Sequence, residues 1–273
     1  MTLFQAVIYS IVLSITSTLP LSMEAHSILL ADLTQWPAPD STTLGPIFFG
    51  SLLALFFFYL HDWASLTSSF LSVLIYRKKP MTLDERLPFF LLLTAIPVCV
   101  TLQLGLHESL DSRLFQPQVV GLLLAGLAAL LMFGETFGRK NKGMFDWTIF
   151  EAILIGLGQL LAVLPGGGRM LGALAVTQLR NFNREAAVKY SLMSGLPYSL
   201  YWTITHLSQV SISSQDWMQL VQLAATTLVS MVATLLSLST FSKNFTKHGG
   251  KGPALYRVLL GLGAAVLIWF QTR

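Results

Sequence analysis

The residues best suited to chemistry lie in "VLPGGGR" (Val163–Arg169), a short segment behind an apolar stretch. Gly166, Gly167 and Gly168 break a helix and leave backbone N–H groups uncovered where the next helix begins, and such groups bind anions. Arg169 adds a planar fork of donors whose shape suits phosphate oxygens. Because a charge in the middle of an apolar span costs about 2.5–3.5 kcal/mol, we interpret the segment as an anion-binding site.

A purely structural interpretation of Arg169 stays open. In that case the segment is a tight turn, and the guanidinium snorkels to the headgroups or pairs with Glu151 or Glu24. Gln159, six residues before Pro165, is placed either to reach a bound anion or to hydrogen-bond across to an opposing segment.

A second polar segment, "TLPLSMEAH" (Thr18–His26), carries three more candidates for catalysis. Glu24 is suited to holding a divalent cation or acting as a base, and His26 to transferring a proton near neutral pH. Ser22 is either a nucleophile or a helix cap after Pro20. Because Glu24 and His26 are two residues apart, they share a site only if this segment is not a regular helix.

The composition indicates an integral membrane protein. Of the 273 residues, 53% are hydrophobic and only 11% are charged, with a mean hydropathy of +0.65. Soluble domains average about 25% charged residues. The single cysteine, Cys99, offers neither a disulfide framework nor a cysteine-based metal site. The high apolar content therefore predicts that membrane helices position the two polar segments.

Six stretches are long and apolar enough to cross a bilayer, which takes about 20 residues. They are 45–62, 88–106, 117–135, 187–207, 217–240 and 253–271. Two further apolar stretches, 3–31 and 147–180, are broken at Pro20 and at Pro165–Gly168, and we predict that each is a re-entrant helical hairpin. The predicted fold is an all-α integral membrane protein with six transmembrane helices and two re-entrant hairpins.

The order of these elements repeats along the chain. Residues 1–135 contain one hairpin and three spans, and residues 147–273 contain the same set, so that 1–273 form a single membrane domain of two halves. The two hairpins enter from opposite sides, which predicts an inverted repeat. Inverted repeats with broken helices hold their sites near the midplane, where we expect the two polar segments to meet as hairpin tips.

The basic residues orient the chain. Fourteen of the 17 Lys and Arg residues fall in segments that this arrangement places on one side. They are Arg77, Lys78, Lys79, Arg86, Arg139, Lys140, Lys142, Arg180, Arg184, Lys189, Lys243, Lys247, Lys251 and Arg257. The loops on the other side, 24–44, 107–116 and 208–216, contain only Arg113. The positive-inside rule places the basic segments in the cytoplasm, so the net charge of +4 reflects topology and anionic headgroups, and no nucleic acid partner is expected.

A signal peptide is the rival interpretation of residues 3–22, with "SMEAH" (Ser22–His26) as a poor cleavage site. No Lys or Arg precedes the apolar core of that stretch, which argues against a signal peptide. We therefore keep residues 3–31 as the first hairpin.

Several longer stretches carry a resemblance to a known family. "IGLGQLLAVLPGGGRMLGALA" (Ile155–Ala175), followed by "NREAAVKYSLMSGLP" (Asn183–Pro197), is similar to one signature of the bacterial undecaprenyl-diphosphate phosphatases of the bacitracin-resistance type. "SITSTLPLSMEAHSILL" (Ser14–Leu30) resembles the other signature. "GSLLALFFFYLHDW" and "TAIPVCVTLQLGL" resemble the spans between them, so the resemblance covers most of the chain.

The resemblance implies a hydrolase of the bacterial inner membrane that removes the terminal phosphate of undecaprenyl diphosphate, the lipid carrier of peptidoglycan building blocks. It implies bacitracin resistance, a site open to the periplasm and a divalent metal, Mg²⁺ or Ca²⁺. Arg169 corresponds to the arginine that grips the diphosphate, His26 to the motif histidine, and Ser22 to the first serine of a Ser-Ser-Thr-Gly-His run. A polyprenyl diphosphate is thus the expected partner, and a homodimer is left open.

The chain departs from the family pattern where the anhydride is cut. Two family glutamates are Leu13 and Ser17 here, and a proposed nucleophilic serine is Met23.

Three hypotheses remain. The first is a divergent phosphatase in which Glu24 holds the metal and His26, with water or Ser22, breaks the anhydride. The others are a homologue that binds or translocates polyprenyl (di)phosphate without cutting it, and a protein whose arginine is structural. The chain-wide resemblance favours the first.

Overall fold

The computed structural model of the protein describes residues 1–107, 109–210 and 217–271, and it confirms the predicted all-α membrane class. Twelve α-helices form in these residues, with short 3-10 turns at Ser112–Phe115, Met144–Asp146 and Gln159–Val163. The helices are α1 (Leu3–Thr18), α2 (Met23–Thr34), α3 (Ser41–Phe58), α4 (Leu60–Ile75), α5 (Leu83–Gln103), α6 (Pro117–Phe137), α7 (Ile149–Gly158), α8 (Arg169–Leu179), α9 (Arg184–Met193), α10 (Leu196–Leu207), α11 (Trp217–His248) and α12 (Lys251–Gln271).

Five of the predicted spans are single helices. Within the described ranges, α3, α5, α6, α11 and α12 are the helices that are long and apolar enough to cross a bilayer. They correspond to the predicted spans 45–62, 88–106, 117–135, 217–240 and 253–271.

The sixth predicted span, 187–207, is not one helix. It is divided into α9 and α10, which are separated by Ser194 and Gly195. Pro197, in the first turn of α10, has no N–H to donate to a carbonyl four residues earlier, so the hydrogen-bond ladder of α9 cannot continue through it. The prediction of six continuous helices is therefore wrong at this position.

Hydropathy did not predict α4 as a separate helix. It begins at Leu60, directly after Tyr59 ends α3. Several serines and a threonine lower the hydropathy of this stretch, although its helical spacing buries Leu66 and Val73.

Both predicted breaks are confirmed. α1 ends at Thr18 and α2 begins at Met23, with Pro20 between them. α7 passes through a 3-10 turn and the segment Leu164–Gly168 before α8 begins at Arg169. Both polar segments therefore lie where helices are interrupted.

Helices α6 and α12 pack through small residues in a reciprocal pattern. A Cβ on Gly121 would lie 2.7 Å from the carbonyl oxygen of Gly261. Gly121 also faces Ala265, and Gly261 faces Ala125, so each helix presents a glycine and an alanine four residues apart. A two-fold relation between the predicted halves 1–135 and 147–273 would produce a reciprocal contact of this kind. The division into halves itself stays a prediction.

Helix α8 lies inside the protein. Nine of its 11 residues are buried, and its apolar side chains belong to the largest buried cluster together with side chains of α6, α9 and α11. Because α8 does not face lipid, the guanidinium at its first residue is surrounded by protein rather than by acyl chains.

Candidate functional site

The tips of the two hairpins touch each other. An ideal Cβ on Gly168 would lie 3.4 Å from the Cα atom of Ser22. Both residues have a positive φ, 106° for Gly168 and 71° for Ser22. Glycine adopts such a backbone without steric cost, whereas a serine there stores strain of the kind found at functional sites.

A third element, Arg257 of α12, joins the two tips. Its side chain is fully buried, and its Nη1 donates to the carbonyl oxygens of Pro20 at 3.0 Å and Gly167 at 3.2 Å. Its Nη2 donates to the carbonyl oxygen of Gly166. These carbonyls belong to broken backbone without helical partners, so the guanidinium satisfies groups that would otherwise be unpaired inside the protein.

Arg257 is therefore a buried side chain of α12 and not a residue of a basic loop. The positive-inside count treats every Lys and Arg near a span end as a headgroup residue, whereas this one lies inside the predicted span 253–271. That position was the available signal, because an ionisable residue within a span indicates a site by default.

Two of the backbone N–H groups predicted to bind an anion have partners within the glycine segment's own turn. The N–H groups of Gly167 and Gly168 donate to the carbonyl oxygens of Leu164 at 2.8 Å and Leu161 at 3.0 Å, so they are satisfied within the turn. The backbone donors that the local structure leaves for an anion are those of the first turn of α8, which no side chain caps. Gly166 contributes its carbonyl to Arg257 rather than an amide to the site.

A cavity of about 490 Å³ lies against the two tips. Of the predicted site residues, Ser22, Glu24, Gly168 and Arg169 line it. Most of the remaining wall is apolar or aromatic. Six of these side chains come from α3, α5, α10 and the α5–α6 connection: Leu44, Phe48, Leu102, Phe115, Tyr198 and Trp202. The cavity is therefore mostly apolar, with polar side chains of both tips in its wall.

Arg169 extends from α8 to the break between α9 and α10. Its Nη1 donates to the carbonyl oxygen of Ser191 at 2.8 Å, and its guanidinium lies 5.9 Å from the centre of the Tyr198 ring. Gly195 makes room for this arrangement, because a Cβ there would lie 2.6 Å from the Cζ atom of Arg169. The broken span thus supplies both a hydrogen-bond acceptor and the space for the guanidinium.

Arg169 lacks a counter-ion in the described part of the chain. It is 6% exposed, it forms none of the ion pairs found there, and its Nε has no hydrogen-bond partner. Glu151, the first of the two pairings considered, binds Lys142 and Arg180 at 2.8 Å each. A buried cation without a partner is costly, so this position favours a negatively charged ligand.

Gln159 lies behind Arg169 rather than at the cavity wall. It is 1% exposed, and its Nε2 donates to the Ser194 hydroxyl at 2.9 Å. That hydroxyl donates in turn to the carbonyl oxygen of Ser191 at 3.0 Å, the same oxygen that accepts from Arg169. The network connects Gln159 to the guanidinium without bringing it to the cavity.

Glu24, the second pairing considered for Arg169, binds a different residue. Its Oε1 lies 2.6 Å from Nε2 of His107, which also lines the cavity. His107 follows α5 in the connection to α6, and its ring packs edge-on against Phe115 with 5.1 Å between ring centres. His107 belongs to no motif of the sequence, and the signal for a role is its position in a loop predicted to lie on the same side as the first tip.

His26 does not line the cavity. Its Nδ1 lies 2.8 Å from the carbonyl oxygen of Ser22 and its Nε2 lies 2.9 Å from the hydroxyl of Tyr256, whose ring stacks on the imidazole. Both ring nitrogens are therefore engaged on the far side of the first tip. The structure does not bring His26 to the place where a bound anion would lie.

The three residues that replace motif residues of the family lie in two different environments. Leu13 is fully buried against Tyr9 and Ile47, away from the cavity. Ser17 and Met23 line the cavity, and Ser17 donates to the carbonyl oxygen of Ser14 at 2.8 Å. Only one of the two lost glutamate positions therefore faces the site.

The donors at the cavity do not suit a resident Mg²⁺ or Ca²⁺. Among the residues that the structure describes, no three His, Cys, Asp or Glu side chains come together. Glu24 is the one acidic side chain of that part of the chain at the cavity wall, and one of its oxygens is bonded to His107. Hard cations need several oxygen ligands, so these residues do not fit the metal ion that the resemblance implies.

Comparison with known proteins extends over nearly the whole chain. The family described as bacitracin resistance protein BacA matches residues 6–263. An undecaprenyl-diphosphatase of Geotalea daltonii is 31% identical over 275 residues, which cover 99% of this chain and 100% of that protein. Proteins with the same description from Chlorobaculum tepidum and Thioalkalivibrio sulfidiphilus are 29% and 28% identical, and the matches cover 98% of this chain and 98% and 100% of those proteins.

Proposed function

The chain belongs to the bacitracin resistance protein family, and on that premise we propose that it hydrolyses the terminal phosphate of a polyprenyl diphosphate. Undecaprenyl diphosphate is the proposed substrate, since relatives described as undecaprenyl-diphosphatases align with the chain from end to end. The proposed setting is the bacterial inner membrane, with the cavity open to the periplasm. There the reaction would regenerate the carrier lipid for peptidoglycan synthesis and give resistance to bacitracin.

The main support for this proposal is the buried guanidinium of Arg169, which lies at the cavity wall without a counter-ion in the described ranges. Burying an unpaired ion costs several kcal/mol, and a diphosphate would offset that cost with charge-assisted hydrogen bonds. The uncapped first turn of α8 adds backbone donors and the positive end of a helix dipole at the same place.

The shape of the cavity matches an amphipathic ligand. The diphosphate would lie at the tips against Arg169, Gly168 and Ser22, and the isoprenoid chain along the apolar wall formed by residues such as Phe48 and Trp202. The Ser22 hydroxyl oxygen accepts from the Ala25 N–H at 3.4 Å, and its own proton is suited to donation to a phosphate oxygen.

In the proposed reaction a water molecule attacks the terminal phosphorus. The bond from that phosphorus to the bridging oxygen breaks, and the polyprenyl monophosphate leaves with the electron pair. Arg169 stabilises the negative charge that spreads over the phosphate oxygens in the transition state, because it is fixed in place before the substrate arrives.

The test is release of inorganic phosphate from undecaprenyl diphosphate by the purified protein in detergent or liposomes. We expect release by the parent, and its loss in Arg169→Ala and Arg169→Lys, because lysine keeps the charge but cannot bind phosphate bidentately. Arg113→Lys, at an exposed position, is the matched control. Tight binding without release would identify a carrier or binding protein instead, and Arg169 variants that bind and react like the parent would place the site elsewhere.

Assembly as a homodimer stays a prediction. Light scattering of the detergent-solubilised protein would distinguish one chain from two.

A further inference from the structure

The cavity contains a hydrogen-bonded pair of side chains that no family motif explains. Oε1 of Glu24 and Nε2 of His107 are 2.6 Å apart, although the residues are 83 positions apart in the sequence. Glu24 comes from the first turn of α2, within the first tip, and His107 comes from the α5–α6 connection. Both line the cavity that also contains Arg169.

The pair is held firmly but remains open to the cavity. The side chains of His107 and Glu24 are 33% and 30% exposed, so water reaches them. The ring of His107 packs edge-on against Phe115, which limits its rotation. The other oxygen of Glu24, Oε2, makes no hydrogen bond to any residue in the described part of the chain, and it is therefore available to accept one from a water molecule.

We infer that Glu24 is the base that activates the attacking water, and that His107 is the positioning residue that fixes the Glu24 carboxylate. The inference rests on the proposed phosphatase function and names the groups that perform its proton transfer. The inference also explains why, among the described residues, the cavity lacks the oxygen ligands of a metal ion. The Glu24–His107 pair takes over the role of the two family glutamates, whose positions are Leu13 and Ser17 here, and a carboxylate activates the water instead of a bound ion.

The hydrolysis needs no reactant besides water and the lipid diphosphate. The water oxygen forms a bond to the terminal phosphorus while its proton moves to Oε2 of Glu24. The bond from that phosphorus to the bridging oxygen breaks, and the polyprenyl monophosphate departs as an anion. Inorganic phosphate is the second product, and Glu24 afterwards returns its proton to solvent through the open cavity.

Other candidates for the base fit less well. Both ring nitrogens of His26 are engaged with Ser22 and Tyr256, away from the cavity. The carboxylates of Glu135 and Glu151 are bound by basic side chains elsewhere in the fold. His206 lines the cavity, but its Nδ1 contacts the hydroxyl of Ser41 beyond the aromatic wall, and no carboxylate of the described residues pairs with it.

The experiment separates binding from chemistry by measuring kcat and KM for undecaprenyl diphosphate in excess EDTA. Glu24→Gln should lower kcat by about 100-fold or more, which is the usual contribution of a general base. His107→Leu should lower kcat by about 10-fold or more with little change in KM, because Arg169 still binds the diphosphate. His107→Gln keeps an N–H donor and should recover most of the lost rate.

Two controls make the outcome specific. His248→Gln replaces an exposed histidine at the end of α11 and should leave kcat and KM unchanged. The thermal midpoint of each variant in detergent shows whether it is folded, and recovery by His107→Gln distinguishes positioning from a loss of structure.

Each remaining outcome has a definite meaning. A parent that releases no phosphate overturns both this inference and the proposed function. An active parent with an equally active Glu24→Gln variant overturns this inference alone. A parent that is active without EDTA and inactive in EDTA also overturns this inference, if Mg²⁺ or Ca²⁺ restores its activity and His107→Leu raises the metal concentration needed for half activity. The pair is then a metal site.

Discussion

Nη1 of Arg257 lies 3.0 Å from the carbonyl oxygen of Pro20, a residue 237 positions earlier in the chain. The same guanidinium binds carbonyl oxygens of the second tip, so one side chain of the last helix holds the two broken hairpins together. The site is thus built from three distant parts of the sequence, and its geometry depends on a residue that does not line the cavity.

Replacement of Arg257 should therefore loosen both tips. Arg257→Met removes the donors of three buried carbonyl groups, each of which costs about 1–3 kcal/mol when it is left unsatisfied. We expect a large fall in the thermal midpoint in detergent together with loss of phosphate release. Lys243→Met, at an exposed position on α11, is the matched control. An Arg257→Met protein as stable as the control would show that the carbonyls find other partners.

A side chain at position 195 should displace the guanidinium of Arg169. Gly195→Ala places a Cβ against that group, and overpacking of this kind costs about 1–3 kcal/mol. The expected result is a roughly five- to hundred-fold weaker binding of undecaprenyl diphosphate. Gly126→Ala is the control, because nothing lies within 4 Å of the Cβ added there.

The effect of Gly195→Ala should also depend on Arg169. In an Arg169→Ala background the added methyl group has no guanidinium to displace, so it should change affinity little. An equal loss in both backgrounds would show that Gly195 acts on the fold rather than on the arginine.

The two lost acidic positions should behave differently when glutamate is restored. Leu13→Glu would place a carboxylate among Tyr9 and Ile47 without a partner, so we expect a severely destabilised protein. Ser17→Glu adds a second carboxylate at the cavity wall near Glu24, so we expect it to be tolerated and to create stimulation by Mg²⁺ or Ca²⁺. Ser17→Gln, which has the same size without the charge, should show no such stimulation.

The predicted orientation is open to a labelling experiment in a Cys99→Ala background. Cysteines introduced at Lys78, Asn141 and Thr246, all exposed, should react with a membrane-impermeant reagent only from the cytoplasm. A cysteine in place of Ala38, also exposed, should react from the outside. Labelling of all four positions from one side would contradict the inverted arrangement of the hairpins.

The sequence was sufficient for the membrane class, five of the spans and both breaks. These features depend on local properties: runs of apolar side chains that reach the length of a bilayer, and a proline or glycines that interrupt a helix wherever they stand. The prominence of Arg169 has the same basis, because a charge in an apolar stretch is visible without any tertiary contact. α4 and the break at Gly195 were missed because serines hide an amphipathic helix from hydropathy and a single apolar run spans two helices.

Only the tertiary structure decided which polar residues share the cavity. It turned His26 toward Tyr256, placed Gln159 behind the guanidinium, brought His107 to Glu24 and set Arg257 between the tips. Each of these relations joins residues that are 35 to 237 positions apart. The directions in which α2, α8 and α12 present their side chains follow from how the helices pack, and the spacing of residues along one chain does not specify these directions.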